Sequence, residues 1–255
     1  MPELVERVAH EKEAYDDGTV HKESAALQAR FIHVFQCPNS TRGERFFSET
    51  VAEYARGKDI LDYGCYDGWM VPRYHEMRPR SITGIDISET AIAAAEAQYG
   101  GIAEFHAGDA HAMPFRSESF DLVVGRGILH HLDFDVALRE IHRVLRPGGG
   151  AVFVEPLGDN PGAKLIRAMT PKARTKDERA LSQATIQRTD AFFGGSSHFF
   201  YNLASVPVGM LTSLTPLNAD NVLLRMTDAV DQMLARSPMR YWMRQVVLVW
   251  HKAKS

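Results

Sequence analysis

Ile60-Leu61-Asp62-Tyr63-Gly64-Cys65-Tyr66-Asp67-Gly68, followed by Ile82-Thr83-Gly84-Ile85-Asp86, decides how this chain folds. The first stretch is a short apolar run that ends in an acid and then carries two glycines four positions apart. The second is another apolar run ending in an acid. That order suits a strand, a tight turn facing a ligand, a helix, and a second strand whose terminal carboxylate can bind a ribose. Nucleotide-type ligands are held this way at the carboxyl ends of parallel strands.

The alternation continues outward. Strand-like apolar runs recur at residues 103–106, 120–125 and 151–154, the last closed by Glu155-Pro156. Ser88 can cap a helix from Glu89 to about Tyr99, which Gly100-Gly101 can end. Asp133 or Asp135 can cap another, with an apolar face of Ala137, Leu138, Ile141, Val144 and Leu145. Pro147-Gly148-Gly149-Gly150 stops it. A sixth strand is expected at residues 198–202. A last one at 241–251 should add antiparallel to the sheet edge, since Val246-Val247-Leu248-Val249-Trp250 are strong strand formers. The helix before it, residues 222–235, carries Leu223, Met226, Val230, Met233 and Leu234 largely on one side, which leaves core packing and subunit packing both open. Residues 1–56 look helical, with a turn at Cys37-Pro38-Asn39-Ser40. The expectation is α/β with three layers and a mostly parallel seven-stranded sheet. Residues 1–56 form a helical cap, and 57–255 the core with an insertion at 156–197.

Composition bounds the function. The chain has 255 residues, 24% charged and 45% hydrophobic, with net charge -3, as for a soluble globular protein. The absence of a basic excess argues against a nucleic-acid partner. No uninterrupted apolar run reaches the ~18 residues of a membrane span, and the N-terminus does not look secretory. Two cysteines, Cys37 and Cys65, give neither a disulfide framework nor a metal cluster. A cytoplasmic enzyme is the expectation.

Five segments in order resemble the successive motifs of class I S-adenosylmethionine-dependent methyltransferases. They are Asp62-Tyr63-Gly64-Cys65-Tyr66-Asp67-Gly68, Gly84-Ile85-Asp86-Ile87-Ser88, Gly108-Asp109-Ala110, Phe120-Asp121-Leu122-Val123 and Leu145-Arg146-Pro147-Gly148-Gly149. The resemblance covers residues 58–155 closely and the rest loosely. A nicotinamide dehydrogenase is the competing reading. Against it stand a first loop that is not Gly-x-Gly-x-x-Gly and the Gly108-Asp109-Ala110 and Leu-Arg-Pro-Gly-Gly elements. One departure matters: Tyr66 replaces the central glycine of the family's first loop. A tyrosine there keeps an ordinary backbone or strains it, and its ring points away from the methionine pocket or lines it.

The resemblance implies the cofactor S-adenosyl-L-methionine and a set of contacts. Gly64, Cys65 and Gly68 belong to the turn around the methionine half. Asp62 orients that loop or reaches the ammonium through water. Asp86 accepts from the ribose hydroxyls. Ile87 packs on the adenine, Asp109 takes its amino proton, and the Ala110 amide serves a ring nitrogen. Arg126 and Gly127 lie in the loop beneath the methionine part. His130 and His131 follow, either as a structural loop or as a general base, since neutral imidazole can take a proton near pH 7. Tyr15 and His198 complete the expected catalytic group. His130, Glu155 and Asp159 could meet above the strand ends, but methyl transfer needs no metal, and none is assigned.

Substrate choice falls to the ends of the chain. The N-terminal segment with Glu11, Tyr15, His21 and Phe31 can close over the cofactor. Lys172, Arg174, Lys176 and Arg179 make a basic stretch suited to phosphate or carboxylate groups, although Asp177 and Glu178 oppose it. Phe192, Phe193, Phe199, Phe200 and Tyr201 suit either a flat acceptor or the core. The late methionines suit a lipid-like acceptor or plain packing. The resulting expectation is an enzyme methylating a small organic acceptor, a secondary or specialised metabolite, by direct displacement, with no metal step and with self-association left open. An RNA or protein methyltransferase and a non-catalytic cofactor-binding assembly protein are the alternatives.

Overall fold

The structure, a computed structural model, describes residues 2–16, 19–164, 175, 178–193 and 195–254. Seven strands form one sheet: β1 (Asp59–Tyr63), β2 (Ser81–Asp86), β3 (Glu104–Ala107), β4 (Phe120–Arg126), β5 (Leu145–Pro156), β6 (Ser196–Tyr201) and β7 (Gln245–His251). Their order is β3-β2-β1-β4-β5-β7-β6. β1 to β5 pair in parallel, and β7 runs antiparallel to both β5 and β6. The chain winds outward from β1 through β2 to β3, then returns to lay β4 on the other side of β1. The crevice at that reversal, above the carboxyl ends of β1 and β4, is where such sheets take ligands.

Helices cover both faces. α4 (Pro38–Ala55), α5 (Val71–Glu76) and α6 (Glu89–Tyr99) lie on one, where Phe47, Val51, Tyr74 and Ala95 are buried with Ile60, Leu122 and Val152. α7 (Phe134–Val144) and α8 (Gln183–Phe193) lie on the other, where Leu138, Ile141 and Phe193 pack with Leu61, Phe153 and Trp250. Each such side chain taken from water contributes roughly 1.5–3 kcal/mol. The Ser88 and Asp133 caps form as the sequence predicts, accepting from Ala91 N and Val136 N. α1 (Pro2–Asp16), α2 (Thr19–Arg30) and α3 (Ile32–Gln36) precede α4. Pro38 starts α4 at a position where its missing N–H costs nothing, so the expected turn is a helix start.

Two expectations are corrected, and one that stood open is decided. The last strand is not at the sheet edge: β7 inserts between β5 and β6, and β6 forms the edge. Its first expected residues belong to a 3-10 turn, Pro238–Trp242, because Pro238 and the Ser237 cap favour a turn there. The apolar side of helix α10 (Val222–Leu234), for which core and subunit packing stood open, does not enter the core: Leu223, Met226, Val230 and Met233 are exposed, while Asp228 and Asp231 are buried. The inward carboxylates are satisfied. Asp231 accepts from the N–H groups of Leu203, Ala204 and Ser205, at the start of α9 (Ser205–Thr212), and Asp228 accepts from Asn39. The positions Lys172, Arg174, Lys176 and Met169 lie outside the described residues. Among the described residues, no helix is long and apolar enough to cross a membrane.

Candidate active site

The turn after β1 shows why the glycines stand where they do. Gly64 and Gly68 have φ of 79° and 76°, conformations L side chains resist. A Cβ on Gly64 would sit 2.8 Å from Ile128, so only glycine lets the backbone lie against the crevice. A Cβ on Gly68 would press on Tyr99 and Phe105, so that glycine serves the packing of the turn. Tyr66 has φ of 49°, the strained alternative, and its ring lines the cavity edge-on to Tyr15 at 6.5 Å. Part of the strain is offset by a hydrogen bond: Tyr66 N–H donates to Asp86 Oδ2 at 2.8 Å. Asp86 Oδ1 accepts from Ser88 N–H at 3.0 Å. Ser88 Oγ in turn donates to Asp16 at 2.6 Å and so ties α1 down over the site.

Asp62 is buried, and its Oδ2 has no hydrogen-bond partner among the described residues. Burial, helped by the charge of Asp86 and opposed by Arg126, pushes its carboxyl up to about 7. Asp109 is half-buried. Burial pushes its carboxyl up, but two bonds from His111 win and hold it below its usual range. His111 N–H and Nδ1 lie 2.9 and 2.7 Å from Asp109 Oδ1, and His111 Nε2 accepts from Asp133 N–H at 2.8 Å. Because Nε2 accepts, Nδ1 carries the proton.

The loop after β4 is organised by Glu155, fully buried at the end of β5. Its Oε1 accepts from Ile128 N–H and Leu129 N–H at 3.0 and 2.9 Å, and its Oε2 lies 2.7 Å from His130 Nδ1. His131 lines the cavity, with its ring centroid 4.1 Å from that of His130. Thr175 Oγ1 donates to Glu11 at 2.6 Å and therefore accepts from His131 Nδ1 at 3.3 Å. That leaves His131 Nε2 to accept from the Tyr15 hydroxyl at 3.0 Å. Glu11 Oε2 lies 3.0 Å from His131 Nδ1, close enough to balance an imidazolium. Burial first, then Glu11 and Asp86, raises Tyr15 far above its ordinary range, so its phenol stays neutral. His130, His131 and Glu178 also bring one potential ligand atom each within 4.8 Å of one another, a convergence their spacing along the chain does not reveal.

These groups surround one cavity of about 480 Å³. Its wall includes Gly64, Asp86, Ile87, Asp109, Ala110, Arg126, Gly127, His131 and Tyr15 from the expected set. Asp62, Cys65, Gly68 and His130 sit behind that wall. The Cys65 sulfur packs against Gly84, and burial raises its thiol well above the usual range. His198 is not brought to the cavity. On β6 alternate residues face opposite ways. His198 and Phe200 face Asp190 and Tyr241, whereas Phe199 and Tyr201 face the α4 side, so Tyr201 reaches the cavity instead. The organising role of Glu155 had a visible signal, since Ala151–Glu155 is a third apolar run ending in an acid. Tyr201, which also lines the cavity, belongs to the aromatic stretch that suits a flat acceptor, whereas Arg244 and Phe35 had no such signal.

Known proteins fit this geometry. Residues 61–153 match the family described as a methyltransferase domain. The chain is 37% identical over 106 residues to the demethylmenaquinone methyltransferase of Chlorobaculum parvum, covering 41% of this chain and 44% of that protein. It is 31% identical over 140 residues to the malonyl-[acyl-carrier protein] O-methyltransferase of Erwinia billingiae, covering 53% of this chain and 54% of that one. The chain thus matches about half the length of these relatives. Its fold superposes on a geranyl diphosphate methyltransferase solved with GPP and sinefungin, with a TM-score of 0.57, 13% identity and coverage of 83% and 79% of the two chains. The segment that matches the methyltransferase-domain family begins in β1, ends in β5 and lies within one mostly parallel seven-stranded sheet.

Proposed function

We propose that this protein transfers the methyl group of S-adenosylmethionine to a small organic acceptor by direct displacement. One observation carries the reading: a single cavity joins the Asp86 carboxylate at the end of β2 to the His131–Tyr15 pair under α1. The residues fit the cofactor. Asp62 Oδ2 is a buried acceptor atom without a donor, and Gly64 leaves room that a Cβ would fill. In this reading Asp86 holds the ribose, Asp109 and Ala110 the adenine, and Asp62, from behind the wall, reaches the ammonium through water. The backbone at Gly64, Arg126 and Gly127 borders the methionine. When bound, S-adenosylmethionine supplies an activated methyl on a positively charged sulfur.

The chain's own residues supply the rest. His131 Nε2 is the proton acceptor. It holds the Tyr15 hydroxyl until an acceptor hydroxyl or amine displaces it, and Glu11 balances the imidazolium formed. His130, fixed on Glu155, sets the loop that aims His131. α1 excludes water over the reacting centre. The relatives' names speak of demethylmenaquinone, a malonyl group on acyl-carrier protein and geranyl diphosphate. They support an organic acceptor rather than RNA or protein, as does the net charge of -3. Two buried free cysteines fit a reducing cytoplasm.

The test is to incubate the protein with methyl-labelled S-adenosylmethionine and a small-molecule cell extract, then identify the labelled product. Label in a small molecule is expected. Label only in RNA or protein would reverse the acceptor class. No transfer at all, with cofactor bound, would favour a cofactor-binding assembly protein.

A further inference from the structure

The cavity ends in a second wall, built where α3, α4 and the ends of β6 and β7 meet. Phe35, Glu44, Arg126, Tyr201 and Arg244 line it. The two arginines differ. Arg126 Nη2 donates to both oxygens of Glu44, at 2.7 and 2.9 Å, so its charge is matched. Arg244 has no carboxylate within ion-pair distance among the described residues. Its Nη2 donates to Gln245 Oε1 and reaches Asn202 Oδ1 at 3.5 Å. Its guanidinium lies over the Phe35 ring at 4.8 Å.

Three atoms of this wall are buried without hydrogen-bond partners among the described residues: Arg244 Nε, Arg126 Nη1 and the Tyr201 hydroxyl. All three are donors. Leaving a buried donor unmet costs about 1–3 kcal/mol, and more for a charged group. A wall with three waiting donors and one unmatched positive charge is complementary to an anion. The charge count narrows the class. A phosphate monoester brings about two negative charges at pH 7, one more than the wall can match. A carboxylate brings one, and its two oxygens suit a planar guanidinium.

We propose that the acceptor is a carboxylic acid whose carboxylate is received by Arg244, with Tyr201 and Arg126 Nη1 completing its hydrogen bonds. The proposal rests on reading this cavity as a joint cofactor and acceptor site. It makes Arg244 a determinant of substrate class.

Calorimetry on the full chain tests it with benzoate, benzamide and phenyl phosphate, which share a ring and differ in head group. Each is titrated with and without S-adenosylhomocysteine. Benzoate should bind the complex at least about tenfold more tightly than benzamide and no more weakly than phenyl phosphate. In Arg244→Gln, benzoate should lose about 10–100-fold, Arg244→Lys should recover part of it, and S-adenosylhomocysteine should change by less than about twofold. Tyr201→Phe, which keeps the ring, should lose about 3–10-fold and serves if Arg244→Gln does not fold. Equal affinity for benzoate and benzamide, no saturable benzoate binding, or tighter phenyl phosphate would each overturn the proposal. So would Arg244→Gln weakening S-adenosylhomocysteine as much as benzoate, since the wall would then hold the cofactor's own carboxylate. Failure of S-adenosylhomocysteine to bind the wild type would instead break the cofactor reading, while the benzoate arm on the free protein still reports on the wall.

Discussion

At the β2 end of the cavity, Asp86 already accepts the N–H groups of Tyr66 and Ser88, and Asp109 already holds His111. At the β7 end, Arg244 Nε and the Tyr201 hydroxyl are buried with no partner among the described residues. One end is organised by its own hydrogen bonds before a ligand arrives. The other keeps donors in reserve. A site that must hold one molecule in one pose gains from preorganised polar groups. A site that must choose among acceptors gains from groups satisfied only by the right one, because the wrong ligand leaves them unpaired. His131 and Tyr15, 3.0 Å apart, line the same cavity and join α1 to the loop after β4.

The largest effect should come from that junction. His131→Gln should lower turnover by about 10²–10⁴-fold with cofactor affinity nearly unchanged, measured with the labelled acceptor across pH 5–9. Tyr15→Phe should cost less, about tenfold, because it removes a hydrogen bond and leaves the imidazole. Near-normal turnover in His131→Gln would leave alignment alone as the catalytic device.

Asp62 comes next and tests the cofactor end through pH. Its carboxyl keeps its proton to about 7 in the folded chain and loses it near 3.8 when unfolded. Between those values the folded state binds more protons, so stability falls as pH rises through this window. The loss is complete above about 7 and amounts to up to ~4 kcal/mol. Asp62→Asn should flatten that slope in denaturant titrations. Bound S-adenosylmethionine should flatten it too, because a cation beside Asp62 holds the carboxylate ionised. A slope unchanged by the cofactor would separate Asp62 from the methionine ammonium.

Asp86→Asn should weaken S-adenosylmethionine by about 10²-fold while circular dichroism stays native, since the amide oxygen still accepts one backbone bond. Asp86→Ala is the poorer probe because it also strands the Tyr66 N–H. Undiminished affinity in Asp86→Asn would move the ribose elsewhere. The smallest effect is expected at Tyr66. Tyr66→Gly relieves a left-handed backbone and should raise stability by up to about 1 kcal/mol, read as a shift in Tm. It also removes the ring facing Tyr15, so cofactor release should quicken.

Legibility followed the range of the forces involved. The turn after β1, the carboxylates at the ends of β1, β2 and β5, and the caps of α6 and α7 depend on residues a few positions apart. Their chemistry is therefore written in short motifs. His198 was misplaced because alternation along β6 fixes which residues share a face, but not which face meets the cavity. The outward apolar face of α10 was unreadable because buried Asp228 and Asp231 are satisfied by Asn39 and by the backbone of Leu203 to Ser205, distant partners no pattern announces.

The amino-acid sequence alone determined the alternating strands and helices, the glycine turn and the acid-ended strands, because backbone conformation and apolar periodicity are local properties. Only the tertiary structure decided that β7 enters between β5 and β6. That insertion carries Arg244 and Tyr201 to the same cavity wall as Phe35 and Glu44. Strand insertion is chosen by the burial of whole faces against one another. The resulting neighbourhood of charges and unmet donors exists only once the sheet has closed around it.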